Sequence, residues 1–340
     1  MLTSVYINDY KQNKSKFFTI IKTHLKGWSY NDWQVCGITK KNRKSYLSTR
    51  EYCCLHPFNG NYSFWIDDKL TLKYILSGTK AGGYLPDYYY QIEDKILALP
   101  DLDKVVYELN AEGIAKLLED KKTLAFKLVK GSLGVGFYKA QWNEEENLFY
   151  LNEQAFSRER FVKRIKELKG YIITEYLFPH KEFAKYCDKS VGCLRYTMGK
   201  MKRGEWREII SFMRIGTKKS KFVENYNRGG VLTFINNGNY QGGNIIGEDS
   251  KNIQIDKHPD NDIELKGSIP MWNEIVEVAH SVADTLPQLS YIGIDFCITN
   301  EDKIKIIEIN SLTSLDVIET LHSIYSTSAG EFFKERLEKK

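Results

Sequence analysis

The sequence predicts an α+β protein, because strand-like and helix-like segments follow one another without the regular alternation of a βαβ fold. Two apolar segments, YIGIDFCIT and IKIIEIN, are separated only by NEDK and predict a β-hairpin over 291–310. A helix is predicted from Pro270 to about Leu286, because proline suits a first helical turn and apolar residues recur at helical spacing. A glycine-rich loop lies between strand-like runs at 123–129 and 137–142.

The other elements are predicted from helix caps and from the period of the apolar residues. Further strands are expected over 148–152 and 171–177. Further helices are expected over 65–77, with Asp67 or Asp68 near the start, over 111–120, from Ser157 to about Leu168, and at the C-terminal end, where Ser328 and Glu331 form a capping box.

Composition and charge indicate a globular protein with an anionic ligand rather than a dedicated nucleic-acid binder. The 340 residues suffice for two or three domains, and 42% of them are hydrophobic and 27% charged. The net charge of +5 is far below that of most nucleic-acid-binding domains, but it suits an anionic small molecule.

The cysteines and the N-terminal segment favour a cytoplasmic protein. None of the six cysteines forms a CxxC pair or a zinc-ligand spacing, and Cys297 lies in an apolar run typical of a buried, reduced thiol. The N-terminus lacks the basic and then apolar pattern of a signal peptide, and no run of 18 apolar residues predicts a membrane span.

Asp295, Glu308 and Asn310 give the strongest functional signal. If the hairpin turns on Glu301 and Asp302, Asp295 lies opposite Glu308, with Cβ atoms roughly 4.5–5.5 Å apart, and Asn310 faces the same side. Neighbouring carboxylates repel each other unless one is protonated or a cation lies between them, and two acids with an amide suit Mg²⁺. The alternative is a solvent-facing hairpin whose acids pair with lysines.

Lys127 and the loop GSLGVG form a second candidate element. Gly131, Gly134 and Gly136 lie between two strands, whereas the glycines of a P-loop or of a dinucleotide fingerprint open a helix. Such a hairpin can fold over phosphates with its backbone N–H groups, while Lys127 supplies a positive charge. The alternative is a flexible turn beside a lysine whose ammonium group reaches solvent.

The strand end TEYL is a third candidate element. Its residues Glu175, Tyr176 and Leu177 offer backbone N–H and C=O groups to an adenine ring, and Glu182 could accept hydrogen bonds from ribose hydroxyls. The alternative is an ordinary strand end.

Taken in order, the segments DDKLTLK, FKLVKGSLGVG, TEYLFPHKEF, YIGIDFCI and IIEIN resemble the motifs of the ATP-grasp superfamily. SVGCLRY, FMRIG, VENYNRGG, a later HP pair, IPMW and YIGIDF are similar to the sugar-transfer-associated ATP-grasp proteins, which are related to α-L-glutamate ligases. The resemblance covers about residues 65–316. It implies an ATP-grasp fold, in which two α+β subdomains hold ATP, preceded by a smaller N-terminal α/β domain. We therefore divide the chain into an N-terminal domain at 1–105, a lid subdomain at 106–180 and a metal- and substrate-binding subdomain at 181–340.

The resemblance also implies roles for individual residues. ATP phosphates would be contacted by Lys69 and Lys127 and covered by the loop of Gly131, Ser132, Gly134 and Gly136. Adenine would meet the backbone of Glu175, Tyr176 and Leu177, ribose would meet Glu182, and Mg²⁺, or alternatively Mn²⁺, would be held by Asp295, Glu308 and Asn310. The γ-phosphate and substrate side would be lined by Arg195, Arg214, Asn225 and Arg228.

Two positions depart from the ATP-grasp pattern. Ile294 stands where many ATP-grasp ligases have an arginine just before the metal-binding aspartate, so we expect Arg195 or Arg228 to take its role. The segment SLTS at 311–314 replaces a Pro-Gly pair that often follows the metal-binding asparagine, which affects the expected acceptor loop and not the nucleotide site.

The resemblance implies an ATP- and Mg²⁺-dependent ligase that joins a carboxylate to an amine through an acyl phosphate. The expected substrates are an amino acid or similar carboxylate and an amino sugar or polysaccharide precursor, with no nucleic-acid partner. His180 and His258 lie near the motifs, but turn or surface histidines are commoner than catalytic ones.

Three alternatives belong to other functional classes. An ATP-grasp kinase could phosphorylate a small molecule or a sugar hydroxyl, although the HRD and DFG motifs of protein kinases are absent. A non-catalytic carbohydrate-binding protein is motivated by the 22 tyrosines and 6 tryptophans, and an RNA-binding role only by the basic, aromatic N-terminal region. The oligomeric state does not follow from the sequence.

Overall fold

The computed structural model describes residues 1–131, 134–220, 226–247, 251–313, 317, 319–320, 323–327 and 329–338. The chain before the first strand is helical. Its helices are α1 (Leu2–Gln12), α2 (Phe17–Leu25), α3 (Tyr30–Val35), α4 (Thr49–Leu55), α5 (Phe64–Asp67) and α6 (Lys69–Leu76), with 3₁₀ turns at Lys14–Lys16, Arg43–Ser45, Gly60–Ser63 and Ala81–Tyr84.

Strands dominate the remainder. The first group comprises β1 (Tyr88–Ile92), β2 (Ile96–Ala98), α7 (Ala111–Lys121), β3 (Thr123–Leu128), β4 (Tyr138–Asn143), β5 (Leu148–Leu151), β6 (Gln154–Phe156), α8 (Arg158–Glu167) and β7 (Tyr171–Glu175). The second group comprises α9 (Lys181–Ala184), β8 (Cys193–Lys200), β9 (Trp206–Ile215), β10 (Val231–Asn236), β11 (Asn239–Gln241), β12 (Gly243–Ile246), β13 (Asn252–Ile255), β14 (Lys266–Ser268), α10 (Trp272–Thr285), β15 (Tyr291–Ile298), β16 (Ile304–Asn310) and α11 (Gly330–Leu337), with 3₁₀ turns at Tyr226–Arg228 and Ile324–Ser326.

The first sheet has seven antiparallel strands within the described residues, in the order β2-β1-β7-β3-β4-β5-β6. Helices α7 and α8 share its core, where Ile114, Phe149 and Phe161 are fully buried. Strands β1 and β2 come from the segment 1–105, so this sheet begins before the predicted lid subdomain, and the described residues ahead of them form helices and connections.

The second sheet follows the order β13-β12-β10-β9-β8-β15-β16 in the part of the chain that the structure describes, with β11 beside β10 and β14 beside β11. Helix α10 packs on it, because Val278 and Val282 of the predicted apolar stripe share a core cluster with Ile294 and Phe296 of β15. The helix begins at Trp272, two residues later than Pro270 predicted. Since side chains alternate along a strand, the odd-numbered positions of β15 face the opposite side of the sheet.

The predicted helix over 65–77 is divided into α5 and α6 at Asp68, whose backbone is extended (φ −97°, ψ 115°). The Asp68 carboxylate accepts a hydrogen bond from the N–H of Thr71 at 2.9 Å and so caps α6. Asp67 instead accepts hydrogen bonds from Ser311, from its N–H at 2.8 Å and from its hydroxyl at 2.6 Å. The division places Lys69 at the first position of α6.

Replacing Asp68 by alanine should lower the free energy of unfolding by about 1 kcal/mol, because the N–H of Thr71 loses its partner. Urea denaturation monitored by far-UV circular dichroism measures the change. Asp68→Asn keeps an acceptor oxygen and should retain most of the stability. Equal losses for the two variants would contradict the capping role.

Two further features of the fold concern membrane-spanning helices and the cysteines. No described helix has both the length and the apolar composition needed to cross a bilayer. None of the six cysteines, all of which the structure describes, forms a disulfide, and Cys297 is buried as the sequence predicted. Ser328, half of the predicted C-terminal capping box, lies outside the described residues.

Candidate functional site

A cavity of about 670 Å³ lies between the two sheets, within the size range of small-molecule sites. The first sheet contributes β3, the loop after it and the end of β7. The second sheet contributes β8, β9, β15 and β16, and the α5–α6 junction closes a further side.

One row of directly paired residues crosses four strands of the second sheet and lines this cavity. Glu308 on β16 pairs with Asp295 on β15, Asp295 pairs with Arg195 on β8, and Arg195 pairs with Phe212 on β9. Arg214 lies two residues beyond Phe212 and therefore faces the same side. The row and Arg214 together bring two carboxylates and two guanidinium groups to one face of the sheet.

Asp295 is buried and is held by two arginines. Arg195 donates from Nε to one carboxylate oxygen and from Nη2 to the other at 2.9 Å, and Arg214 donates from Nη2 to that second oxygen at 2.8 Å. Burial alone would raise the pKa of Asp295, but the charges of both arginines hold it well below its usual range. The repulsion predicted between Asp295 and Glu308 is thus relieved by cations of the protein, and that pair alone does not require a metal ion.

The predicted pairing of Asp295 with Glu308 is confirmed, although the predicted turn is wrong. The N–H of Thr299 bonds to the carbonyl of Lys303, so the turn contains three residues, and the pairing near it is shifted by one. A β-bulge between Asp295 and Phe296 leaves Ile307 as the extra residue and restores the register.

Glu308 faces a lysine from the α5–α6 junction. The Nζ atom of Lys69 lies 3.4 Å from Oε2 of Glu308 and donates to the carbonyl of Gly131 at 2.7 Å. Lys69 therefore joins the acidic strand to the start of the glycine loop. Asn310 donates from Nδ2 to Oε1 of Glu308 at 3.3 Å, so its amide lies beside the carboxylate on the cavity side.

Gly293 provides space for Arg195. A Cβ atom at Gly293 would lie 3.0 Å from Cδ and 3.1 Å from Nη1 of Arg195, and 2.7 Å from Cγ2 of Thr313. Ile294 itself packs in the core beneath the sheet, and the expectation that Arg195 or Arg228 takes the role of an arginine there stays a prediction.

The glycine loop connects β3 and β4 as predicted. Gly131 and Gly134 line the cavity together with Lys127 of β3. Gly136 does not line it. Its φ is +71°, and a Cβ atom there would lie 2.7 Å from Leu128, so glycine is needed for close packing at the base of the loop. Ser132 lies outside the described residues.

The end of β7 forms another wall of the cavity through Glu175, Tyr176 and Leu177. The side chain of Glu175 accepts the N–H of Asp87 at 3.2 Å and lies 3.2 Å from Nζ of Lys305. These contacts fix the strand end relative to the second sheet.

Twelve of the residues predicted for the site line the cavity, which gives them a common location. They are Lys69, Lys127, Gly131, Gly134, Glu175, Tyr176, Leu177, Arg195, Arg214, Asp295, Glu308 and Asn310.

Besides Gly136, two predicted residues do not line the cavity. Glu182 lies on α9 and pairs with Lys185 at 2.9 Å, and that hydrogen bond lowers the pKa of Glu182. Arg228 is exposed, although the neighbouring Tyr226 lines the cavity. Asn225 lies outside the described residues.

Both histidines near the motifs have structural partners. Nδ1 of His180 accepts the N–H of Glu182 at 3.1 Å and caps α9, while its Nε2 lies 3.0 Å from Asp302. His258 is fully buried, and its Nε2 donates to the carbonyl of Gly216 at 2.9 Å.

Some cavity residues were not predicted from the sequence. Cys193 and Phe212 lie two residues from Arg195 and Arg214, so strand alternation alone would have placed them on the same face. Phe64 and Asp67 come from the α5–α6 junction, for which the local sequence gives no such signal.

A comparison with known protein families gives a match over most of the chain. The family model described as sugar-transfer associated ATP-grasp matches residues 56–324, which is most of the chain. A search of curated proteins found no match.

Similar solved structures are remote in sequence. D-alanyl-alanine synthetase A from Vibrio cholerae is 13% identical, with a TM-score of 0.47 over 83% of this chain and 66% of that one. N5-carboxyaminoimidazole synthetase from Staphylococcus aureus is 12% identical, with a TM-score of 0.39 over 73% of this chain and 45% of that one. This chain therefore spans less than half of the second protein.

The family match confirms the α+β ATP-grasp fold predicted from the motifs. ATP-grasp enzymes use ATP and divalent metal ions. The chain belongs to the sugar-transfer associated ATP-grasp family.

Proposed function

We propose that this chain is an ATP- and Mg²⁺-dependent ligase that joins a carboxylate to an amine through an acyl phosphate. The observation that carries the proposal is the cavity face on which Glu308, Asp295 and Arg195 form one row, opposite the glycine loop. Such a face combines groups for a cation, for phosphates and for a substrate carboxylate.

The proposed phosphate contacts are Lys69 and Lys127. Both line the cavity next to Gly131, and Lys69 already bonds to that loop. Backbone N–H groups of a glycine loop and ammonium groups both favour negatively charged oxygens. The triphosphate would therefore lie between the loop and β16.

The donor set suits a divalent cation that prefers oxygen. Glu308 and Asn310 are adjacent on the cavity side, and Asp295 retains further acceptor sites on oxygens that already bond to arginines. Mg²⁺ favours such a set and keeps phosphate or water oxygens in its shell. When bound, it would neutralise charge on the β- and γ-phosphates.

The proposed reaction needs no covalent nucleophile from the protein. A substrate carboxylate oxygen attacks the γ-phosphorus and ADP leaves, which gives an acyl phosphate. An amine then attacks the acyl carbon, loses a proton, and releases inorganic phosphate. Arg214 lines the cavity and would orient the carboxylate, and the glycine loop would exclude water from the acyl phosphate.

The substrate classes rest on the resemblance of the motifs and are part of the proposal. We propose an amino acid or similar carboxylate as the activated substrate and an amino sugar or polysaccharide precursor as the acceptor. A kinase of the same fold would instead yield a phosphate ester.

Release of ADP across a panel of amino acids and amino-sugar acceptors tests the proposal, with Mg²⁺ or Mn²⁺ present. Hydroxylamine is included as a trap, because it converts an acyl phosphate to a hydroxamate that mass spectrometry identifies. We expect a hydroxamate without acceptor and an amide with it. A phosphate ester, or no ADP release with any carboxylate, would overturn the ligase assignment.

Two glutamates of one hairpin provide a matched comparison. Glu308→Gln should reduce ADP release by roughly a hundredfold, because it removes a negative charge that would hold the divalent cation beside the phosphates. Glu301→Gln alters an exposed turn residue that pairs with Lys303, and it should leave the rate unchanged. Full activity of the Glu308 variant would contradict its placement in the metal site.

A further inference from the structure

The first fifty residues have a charge unlike that of the rest of the chain. They contain ten Lys and Arg and only two Asp, a net charge of +8, whereas the whole chain carries +5. The remainder is therefore net negative, at −3. The positive charge of the protein is thus concentrated in this helical segment.

The two acids of this segment do little to offset the charge at its surface. Asp9 is buried, lies 2.7 Å from Nε2 of His24 and accepts the N–H of Tyr30. Asp32 accepts a hydrogen bond from Thr49. Within the described residues, no ion pair involves the exposed lysines at 11, 14, 16, 22 and 26.

Helix α2 directs three of its apolar side chains toward solvent. Phe18 and Leu25, seven residues apart and so on one face, are 78% and 77% exposed, and Phe17 beside them is 52% exposed. The opposite face buries the polar residues Thr23 and His24, whose hydrogen bonds go to Ile20 and Asp9. The helix therefore docks through Ile20, which is fully buried, and through satisfied polar groups, and it leaves the face of Phe18 and Leu25 uncovered.

We name this surface the α2 patch, formed by Phe17, Phe18, Leu25, Lys14, Lys16, Lys22 and Lys26. We propose that the α2 patch docks the protein on an anionic bilayer surface. The lysines match the negative charge of acidic lipids, and the helix lies in the interface with its apolar side chains among the acyl chains. The proposal is independent of the ligase reaction.

Other occupants match the patch less well. A nucleic acid would satisfy the lysines and could stack bases on Phe17 and Phe18, but it would leave Leu25 without an apolar partner. A second copy of the chain would bring the same positive surface against itself, and the lysines would repel. Only a surface that is both anionic and apolar satisfies Phe18 and Lys22 together.

Flotation of the full chain with vesicles tests the proposal. One set contains phosphatidylcholine alone, and in the other about a third of the lipid is phosphatidylglycerol. We expect binding to the second set to be at least about tenfold stronger and to weaken as salt is raised. Equal binding to both sets, or none to either, would overturn the proposal.

Matched variants test whether vesicle binding depends on this surface or only on the overall charge and hydrophobicity of the protein. Phe18→Ser with Leu25→Ser should weaken binding about tenfold or more, and so should Lys14→Glu with Lys22→Glu. The controls are Val105→Ser with Leu109→Ser, and Lys163→Glu with Lys166→Glu, which change exposed residues elsewhere and should bind as the wild type does. Unchanged thermal unfolding shows that each variant folds.

Three further outcomes would overturn the proposal. The first is a control pair that weakens binding as much as the patch variants do. The second is a dimer in size-exclusion chromatography that Phe18→Ser with Leu25→Ser dissociates, without vesicle binding. The third is retention by RNA without vesicle binding. The assays need no turnover, so their failure leaves the ligase proposal untouched.

Discussion

Asp295→Asn should abolish ADP release to within measurement, a loss on the order of a thousandfold, and should also destabilise the fold. Arg195 is buried and Arg214 half-buried, and both donate to the Asp295 carboxylate. Removing that charge leaves two guanidinium groups without their anion, which costs about 3–5 kcal/mol in comparable buried pairs. Steady-state ADP release and urea denaturation measure the two effects.

The pH dependence of the loss in stability follows from the lowered pKa of Asp295. In the unfolded state the pKa of an aspartate carboxyl is about 3.9. The stabilisation by Asp295 is therefore fully present above that pH, and it is lost as the pH falls toward the lower folded-state pKa. The difference in unfolding free energy between wild type and Asp295→Asn should therefore be the same at about pH 7 and pH 5. A difference that disappears by pH 5 would contradict the ion-pair assignment.

Asp302→Asn is a suitable control, because it changes an exposed carboxylate of the same hairpin. Residue 302 has a φ of 55°, a conformation that asparagine adopts readily. We expect wild-type ADP release and only a small stability change from the weakened contact with His180. If this variant also lost activity, the hairpin as a whole, and not the Asp295 charge, would be responsible.

The hairpin of β15 and β16 shows how much of the site could be predicted from the sequence. Counting back from an assumed two-residue turn placed Asp295 opposite Glu308, and the structure has that pair. The pairing is right because two errors compensate, since the turn is one residue longer than assumed and a bulge at Ile307 restores the register. A bulge of this kind depends on packing around the whole sheet, and the local sequence does not encode it.

Contacts between distant parts of the chain could not be predicted from the sequence. Ser311 holds Asp67 across 244 positions, and this contact lies at the division of one predicted helix into two. The two arginines that neutralise Asp295 come from strands whose pairing sets their distance. The sequence therefore identified twelve of the residues that line the cavity, but not which charge neutralises which.

Lys69 and Lys73 allow a direct test of the proposed nucleotide site, because they lie one turn apart on the same helix. Both are buried, at 7% and 8% exposure, and both are ion-paired, Lys69 with Glu308 at 3.4 Å and Lys73 with Asp101 at 2.6 Å. Only Lys69 lines the cavity. Methionine in place of either lysine keeps the length of the side chain and removes its charge.

We expect Lys69→Met to weaken ATP binding by about ten- to a hundredfold, because a charge-assisted phosphate contact contributes about 1.5–3 kcal/mol. Lys73→Met should bind ATP with wild-type affinity, although Asp101 loses its partner and the free energy of unfolding falls. Isothermal titration calorimetry with ATP and Mg²⁺, on samples whose folding is checked by circular dichroism, measures both affinities. If the two variants lost affinity equally, the effect would arise from the stability of α6 and not from a phosphate contact. If Lys69→Met bound ATP as tightly as the wild type, the phosphates would have to lie away from the junction of α5, α6 and the glycine loop.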